Sequence, residues 1–386
     1  MNRCYLDHAT TTPLDARVRE AMQPFLDEGF GSPSAPHRRG RAAHAAIESA
    51  RGAVAALVGC PAEEIVFTAS ATEANNLAVK GTALAAPRPG RILAAATEHI
   101  SILHPLRTLA RSGFEVVLLP VDELGRLGPA TLEREAREGD LLVCISQASA
   151  EIGTLQPIAD HVRIARAAGL PLHCDAAASG WVPPPGAATL PTLLALTPHL
   201  FGGPQGVAAL RVASGHRIRP LIEGGAQEAG LRPGTASVAA IAGFGRAAGI
   251  VRAEREERAA AAARLAEEFR KRLAVGLAGI EFTGDPGDRL PGHVSLCVRG
   301  AEAEALLRDL DAAGIEAASG SACTTEVGKP SHVLVAMGID PVLARGALTF
   351  MFGPGNGPGD PQRAAEALAA AVNRIRSLSP LERGES

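Results

Sequence analysis

Lysine is scarce in this chain. Of 38 basic residues only three are lysine, namely Lys80, Lys271 and Lys329. The arginine bias, with the richness in alanine, glycine and proline, reads as compositional drift of the genome and needs no functional cause. No dense Lys/Arg run occurs and the formal net charge is −3, so nothing suggests a nucleic-acid or membrane partner. No apolar stretch is long enough to span a bilayer. The opening MNRCYLDHATTTP has neither an apolar core nor a cleavage signature, so no secretory signal is expected. The six cysteines (Cys4, Cys60, Cys144, Cys174, Cys297, Cys323) contain no CxxC pair. That pattern suits a reducing cytoplasm and argues against a disulfide framework or a zinc site. A cytoplasmic location is therefore expected.

The chain has 386 residues, 46% of them hydrophobic and 20% charged, enough for a large α/β domain and a smaller one. Apolar runs alternate with helical patterns. Strands are expected over 64–68, 91–96, 114–120, 140–146, 171–175 and 207–212, with helices near 71–80, 103–111 and 158–168. Such alternation implies a mostly parallel sheet covered on both faces. An amphipathic stretch over about 240–277 reads as a helix, broken at most once. Beyond it, strands are expected near 280–283, 293–298 and 347–352, with helices near 301–313, 331–336 and 361–378. The Gly/Pro-rich segment 353–360 reads as a mobile turn.

Four segments carry chemistry. Thr68-Ala-Ser-Ala-Thr-Glu-Ala-Asn-Asn76 sits at a strand-to-helix junction, where exposed backbone N–H groups make a phosphate seat or, more plainly, an ordinary cap. Thr97-Glu-His99 follows a strand; its imidazole suits stacking on an aromatic cofactor or a simple structural role. His173-Cys-Asp175 also ends a strand, where α/β proteins bind ligands. A carboxylate there pairs with a pyridine nitrogen or caps the following segment. Finally, Cys323 lies in Ala318-Ser-Gly-Ser-Ala-Cys-Thr-Thr325, a small-residue loop. Cys144 and Cys297 sit in apolar strands by contrast, which leaves Cys323 the best reactive thiol.

Together these segments resemble the cysteine desulfurases of the class V aminotransferases, proteins of the fold-type I pyridoxal phosphate architecture. The resemblance runs from Tyr5-Leu-Asp-His-Ala-Thr-Thr-Thr-Pro13 to Leu378-Ser-Pro-Leu381. It includes Phe30-Gly-Ser-Pro-Ser34, Glu151-Ile-Gly153, Arg232-Pro-Gly-Thr235 and Ser319-Gly-Ser-Ala-Cys323. It implies an α/β fold with a mostly parallel, seven-stranded-type sheet in a large domain (15–255). A smaller α+β domain (1–14 with 256–386) would carry the cysteine loop. It also implies cofactor phosphate at Ala71 and Thr72, ring stacking by His99, a pyridine partner in Asp175, a contribution from His199, and Thr235 supplied across a homodimer. Cys323 would take the substrate sulfur as a persulfide.

The departures are as informative. The family's Ser/Thr-x-His-Lys followed by Gly-Pro-Lys-Gly is here Thr197-Pro-His-Leu-Phe-Gly-Gly-Pro-Gln-Gly206. The Schiff-base position is thus Leu200, which has no nitrogen for an imine. The usual asparagine before Glu-Ile-Gly is Ala150, the glutamine after the aspartate is Ala178, and the arginine for the substrate carboxylate is Thr349. The expectation is a degenerate desulfurase-like protein acting in sulfur transfer or iron–sulfur cluster assembly. Cys323 would serve as persulfide carrier or as a metal ligand to a cluster shared with a scaffold or sulfur-acceptor protein. Pyridoxal phosphate would be held, if at all, without an internal aldimine. Two alternatives are an active desulfurase with noncovalent cofactor, and a pseudoenzyme subunit paired with an active paralogue.

Overall fold

The computed structural model describes residues 3–320 and 330–378, apart from the side chains of Ser179 and Ala187. Its strands are β1 (Cys4–Tyr5), β2 (Ile65–Thr68), β3 (Arg91–Ala95), β4 (Glu115–Leu119), β5 (Leu142–Cys144), β6 (Leu172–Asp175), β7 (Leu193–Leu196), β8 (Ala208–Val212), β9 (Ile280–Phe282), β10 (His293–Val298), β11 (Ile315–Glu316) and β12 (Ala347–Met351). Seven of them form one sheet in the order β2-β8-β7-β6-β5-β3-β4. Only β8 runs against its neighbours. Every residue of β2, β3, β5 and β7 is buried, as a sheet covered on both faces requires. One apolar core contains Phe67, Leu93 and Val143 and another contains Val66, Ile92 and Leu142. These strand neighbours alternate between the two faces.

The expected strands and helices of the series are present, with ends shifted by a few residues. β7 was not expected. Its four residues, Leu-Leu-Ala-Leu, lie in the centre of the sheet between β6 and β8. Nor was the helix Arg38–Val58, which buries Ile47, Ala50 and Val54 on one face and stops at Gly59 in the left-handed region.

The helix Val238–Gly276 is unbroken over 39 residues. Ile241, Phe244 and Ile250 belong to the core beneath the large sheet, whereas Ala262, Phe269 and Leu273 belong to a second core with β10 and β12. There β10 is the centre of a three-stranded antiparallel sheet flanked by β9 and β12. β1 pairs in parallel with β11, so the first residues join this second core through Cys4 and Leu6.

The Gly/Pro segment 353–360 forms turns, as expected, and its side chains bond to the backbone. The Gly353 amide donates to Asn356 Oδ1 at 2.8 Å, Asn356 Nδ2 donates to the Tyr5 carbonyl at 3.0 Å, and the Gly357 amide donates to Asp360 Oδ2 at 2.9 Å. Side-chain hydrogen bonds pin a segment that composition alone marks as loose.

Candidate active site

A cavity of about 200 Å³ opens at the C-terminal ends of the parallel strands, the usual ligand position in such sheets. β6 delivers Asp175 to it and the turn after β3 delivers Glu98 and His99. β5 leads to Ser146, and the N-terminal loop adds His8.

One hydrogen-bond network orders the floor. Asn75, fully buried on the helix Ala71–Ala85, donates through Nδ2 to Asp175 Oδ2 at 2.7 Å and to Ser101 Oγ at 2.9 Å. His173 Nε2 lies 2.9 Å from Asn75 Oδ1, and that acceptor makes Nε2 the protonated nitrogen. Burial pushes the His173 pKa down to about 4, so the ring is neutral at pH 7. The Ser101 amide donates to His99 Nδ1 at 3.1 Å, and Ser101 Oγ lies 2.7 Å from the same atom. His99 Nδ1 is therefore the acceptor and Nε2 carries the proton. The Ala177 amide donates to Asp175 Oδ1 at 3.0 Å. Ring-stacking and pyridine-pairing candidates are thus tied into one unit.

The helix bearing Asn75 starts with a cap. Ser70 accepts from the Glu73 amide and Glu73 Oε2 accepts from the Ala69 amide at 2.7 Å. The amides of Ala71 and Thr72 are left facing outward from the first turn. Thr72 lines a separate small surface pocket with Lys80 and His104 rather than the cavity itself. His199 also stays off the cavity wall. Its Nδ1 is sealed from solvent with no partner among the described residues, and burial lowers its pKa. Thr235 is exposed and lines another pocket, with Arg51 and Glu228. Its loop is anchored by Arg232 Nε to Glu73 Oε1 at 3.1 Å. Two left-handed residues nearby, Glu228 and Ala229 (φ 48 and 54), are held by Arg51 on the Glu228 carboxylate at 2.7 and 2.8 Å. Within one chain, then, the structure brings His99 and Asp175 together but not Thr235. Cys323 lies outside the described residues.

The four positions at which the sequence departs from the resembled pattern converge. Leu200, Ala178, Ala150 and Thr349 come from separate segments, and all line this one cavity. Leu200 ends a short 3₁₀ turn and is 9% exposed. Trp181 Nε1 donates to its carbonyl at 3.0 Å. Thr349 turns its hydroxyl to the Glu151 carbonyl at 3.0 Å. Among the described residues no lysine or arginine lines the cavity. Lys271 lies on the long helix beside Glu267.

Sequence reasoning passed over several cavity groups that lie inside motifs it had singled out. Glu98 is buried and receives the Ser146 amide at 2.8 Å and the Ser146 hydroxyl at 2.6 Å. Burial nevertheless pushes its pKa up to about 7, and the charge of Asp175 adds to the rise. Burial likewise raises Glu151 to about 8, against a hydrogen bond from Ser331. His8, which lines the cavity, and Asn75, which orders its floor, also lie within those motifs. Their spacing showed no signal, because their neighbours lie tens to hundreds of residues away.

The model of the aminotransferase class-V family matches residues 4–350. A cysteine desulfurase IscS 1 of Archaeoglobus fulgidus is 41% identical over 386 residues, covering 98% of this chain and 99% of the relative. A cysteine desulfurase IscS of Dictyoglomus turgidum is 37% identical, covering 97% and 96%. A solved NifS-like protein superposes with a TM-score of 0.88 at 32% identity, covering 96% of this chain and all of that one. The fold is thus that of the fold-type I pyridoxal phosphate proteins. The chain belongs to the class-V aminotransferase family and, within it, to the cysteine desulfurase group.

Proposed function

We propose that this chain is a sulfur-transfer protein of the cysteine desulfurase family that works without covalently held pyridoxal phosphate. Its place is sulfur transfer or iron–sulfur cluster assembly in the cytoplasm, as a homodimer that meets a scaffold or sulfur-acceptor protein. One observation carries the reading: Leu200, which the resemblance sets at the lysine position, lines the cavity, and no described lysine does.

The donor set fits a ring held by contact alone. His99 offers a face with its proton on Nε2, and Asp175 offers a carboxylate ordered by Asn75. The first amides of the helix Ala71–Ala85 fit a phosphate. Thr235, away from its own chain's cavity, fits a partner subunit's site. When bound, the cofactor supplies an electron-sink ring. Residues for the remaining work are wanting. Leu200 moves no proton, and Thr349 holds no carboxylate by charge.

Cys323 carries the sulfur step. Its thiolate attacks the outer sulfur of a donor persulfide; the S–S bond of the donor breaks, the donor leaves as a thiolate, and Cys323 holds the persulfide. No net oxidant is consumed. The same thiolate serves as a shared ligand where the acceptor is a nascent cluster. The test is persulfide mapping after exposure to a persulfide donor, with and without a scaffold protein. The expected result is sulfur on Cys323, lost in Cys323→Ser. Labelling no greater than at Cys144 or Cys297, with no scaffold effect, would leave Cys323 a relic.

A second reading, an active desulfurase with noncovalent cofactor, is favoured by the intact His99–Ser101–Asn75–Asp175 network. Turnover of cysteine that equals a complete family member and vanishes in Cys323→Ala would select it.

A further inference from the structure

The carboxyl of Glu151 touches two segments at once. A Cβ built on Gly320 would collide with its Oε1, Cδ and Cγ atoms, so the Gly320 backbone lies directly against the carboxyl and any side chain there would push it aside. Ser331 gives the same carboxyl a hydrogen bond. The Ser331 Oγ accepts from the Val333 and Leu334 amides at 3.1 and 3.3 Å, as the cap of the helix His332–Ala336. Its lone pairs are thus in use, and its one proton is left for Glu151. A third tie runs through Thr349. Its hydroxyl donates to the Glu151 carbonyl at 3.0 Å. Its amide donates to the Ala318 carbonyl at 2.8 Å, and its carbonyl accepts from the Ala318 amide at 3.1 Å.

Gly320 and Ser331 stand before and after Cys323 in the chain, so one side chain holds both flanks of the proposed sulfur carrier. Glu151 Oε1 is sealed from solvent, and no described donor reaches it. A carboxylate there would hold an unsolvated charge against the Gly320 backbone, whereas a neutral carboxyl keeps the contact. Burial accordingly raises the Glu151 pKa to about 8. The titratable groups on the elements around it do not offset the charge. Cys297 on β10 is pushed up to about 12 and stays neutral. His293, held near 3, is neutral and donates through Nε2 to the Ala150 carbonyl. Arg289 reaches the Ile152 carbonyl at 3.4 Å, and His332 donates to the Glu98 carbonyl at 3.0 Å. His8, Glu98, His99 and Asp175 share the cavity wall. Among the described residues none makes an ion pair with Glu151.

We propose that Glu151 is a positioning residue for the sulfur carrier: its carboxyl ties Gly320 to Ser331 and so fixes the two points between which the Cys323 segment runs. This rests on the reading that Cys323 carries sulfur. Thr349, where the resemblance expects a carboxylate-binding arginine, serves the same tie by joining Ala318 to the Glu151 backbone. A carboxyl in water ionises near 4.5 and the tied one near 8. The tie is therefore at full strength below pH 4.5 and weakens as pH rises through 8.

Hydrogen exchange of the full chain tests the tie, read by mass spectrometry on peptides bearing residues 318–320 and 331–335 and corrected for the intrinsic rate. Between pH 6 and pH 8 the native chain should lose protection there by on the order of tenfold more than Glu151→Gln, whose neutral amide keeps the shape and cannot ionise. Glu151→Ala should lack that protection at both pH values. Equal pH slopes in the native and Glu151→Gln chains overturn the tie, as does native protection in Glu151→Ala. Persulfide formation on Cys323 from a persulfide donor is then followed in the same three proteins at pH 6. Glu151→Ala should be slower by about fivefold or more, and Glu151→Gln should stay within about twofold of native. Equal rates in all three overturn the positioning role even where exchange differs. No persulfide on Cys323 in any of them overturns the sulfur-carrier reading and the role with it, while the exchange result still shows whether the tie exists.

Discussion

The two ends of the cavity differ in kind. At the ring end, four polar residues from three elements hydrogen-bond to one another. His173, Asn75, Asp175 and Ser101 form a chain that sets the His99 tautomer. At the other end stand Leu200, Ala178, Ala150 and Thr349, beside a histidine and a glutamate with unpartnered atoms. A hydrogen-bonded network is held by the folding stability it provides, because removing one member strands the rest. Residues that only touch a reacting group have no such restraint. The contrast separates the part of the site that the fold needs from the part that chemistry alone needed.

Breaking the ring end should have the largest effect. Asn75→Ala strands Asp175 Oδ2 and the His173 Nε2 proton and leaves Ser101 Oγ with His99 alone. A loss of about 3 kcal/mol is expected, read from the denaturant midpoint. A loss under about 1 kcal/mol would show that the network carries no stability.

Next comes the carboxyl between the two ends. The Glu98 pKa is raised to about 7 from an ordinary 4.5 by burial. Between those values the folded chain keeps a proton that the unfolded chain has released. Stability from this group is thus fully present below pH 4.5 and falls as pH rises through 7, by on the order of 3 kcal/mol. Glu98→Gln should flatten the stability profile between pH 5 and 7.5. An unchanged slope would contradict the assignment.

At the opposite end, Leu200→Lys should create a borohydride-reducible link to pyridoxal phosphate. Sulfide release from cysteine should remain far below that of a complete relative, because Ala150, Ala178 and Thr349 persist. Full activity from that single change would show that the other three positions are immaterial. The smallest effect is expected at Thr235, which is exposed. Thr235→Ala should shift stability by no more than about 0.5 kcal/mol, while weakening cofactor retention in the proposed dimer.

The sheet was largely legible because buried parallel strands read as apolar runs, as in Arg91–Ala95 and Leu142–Cys144. β7 escaped because four leucine-rich residues between prolines look no different from a helical fragment. The helix Arg38–Val58 escaped for another reason: its first turns are polar, and its large apolar side chains gather toward its C-terminal half. At the site, motifs pointed to His99 and Asp175, which share the cavity. They could not point to Asn75 or Ser101, whose role exists only once the strand order brings positions 26 and 100 residues apart into contact. The polar content of a cavity is decided by topology, and only its motif-bearing rim is visible in the chain.

The central claim is that no lysine of this chain bonds to the cofactor. The direct measurement is borohydride reduction of the native protein with pyridoxal phosphate, followed by mass spectrometry of its peptides. The account predicts no pyridoxyl adduct at Lys80, Lys271 or Lys329 above that of the denatured chain. A stoichiometric adduct on any one of them would contradict it.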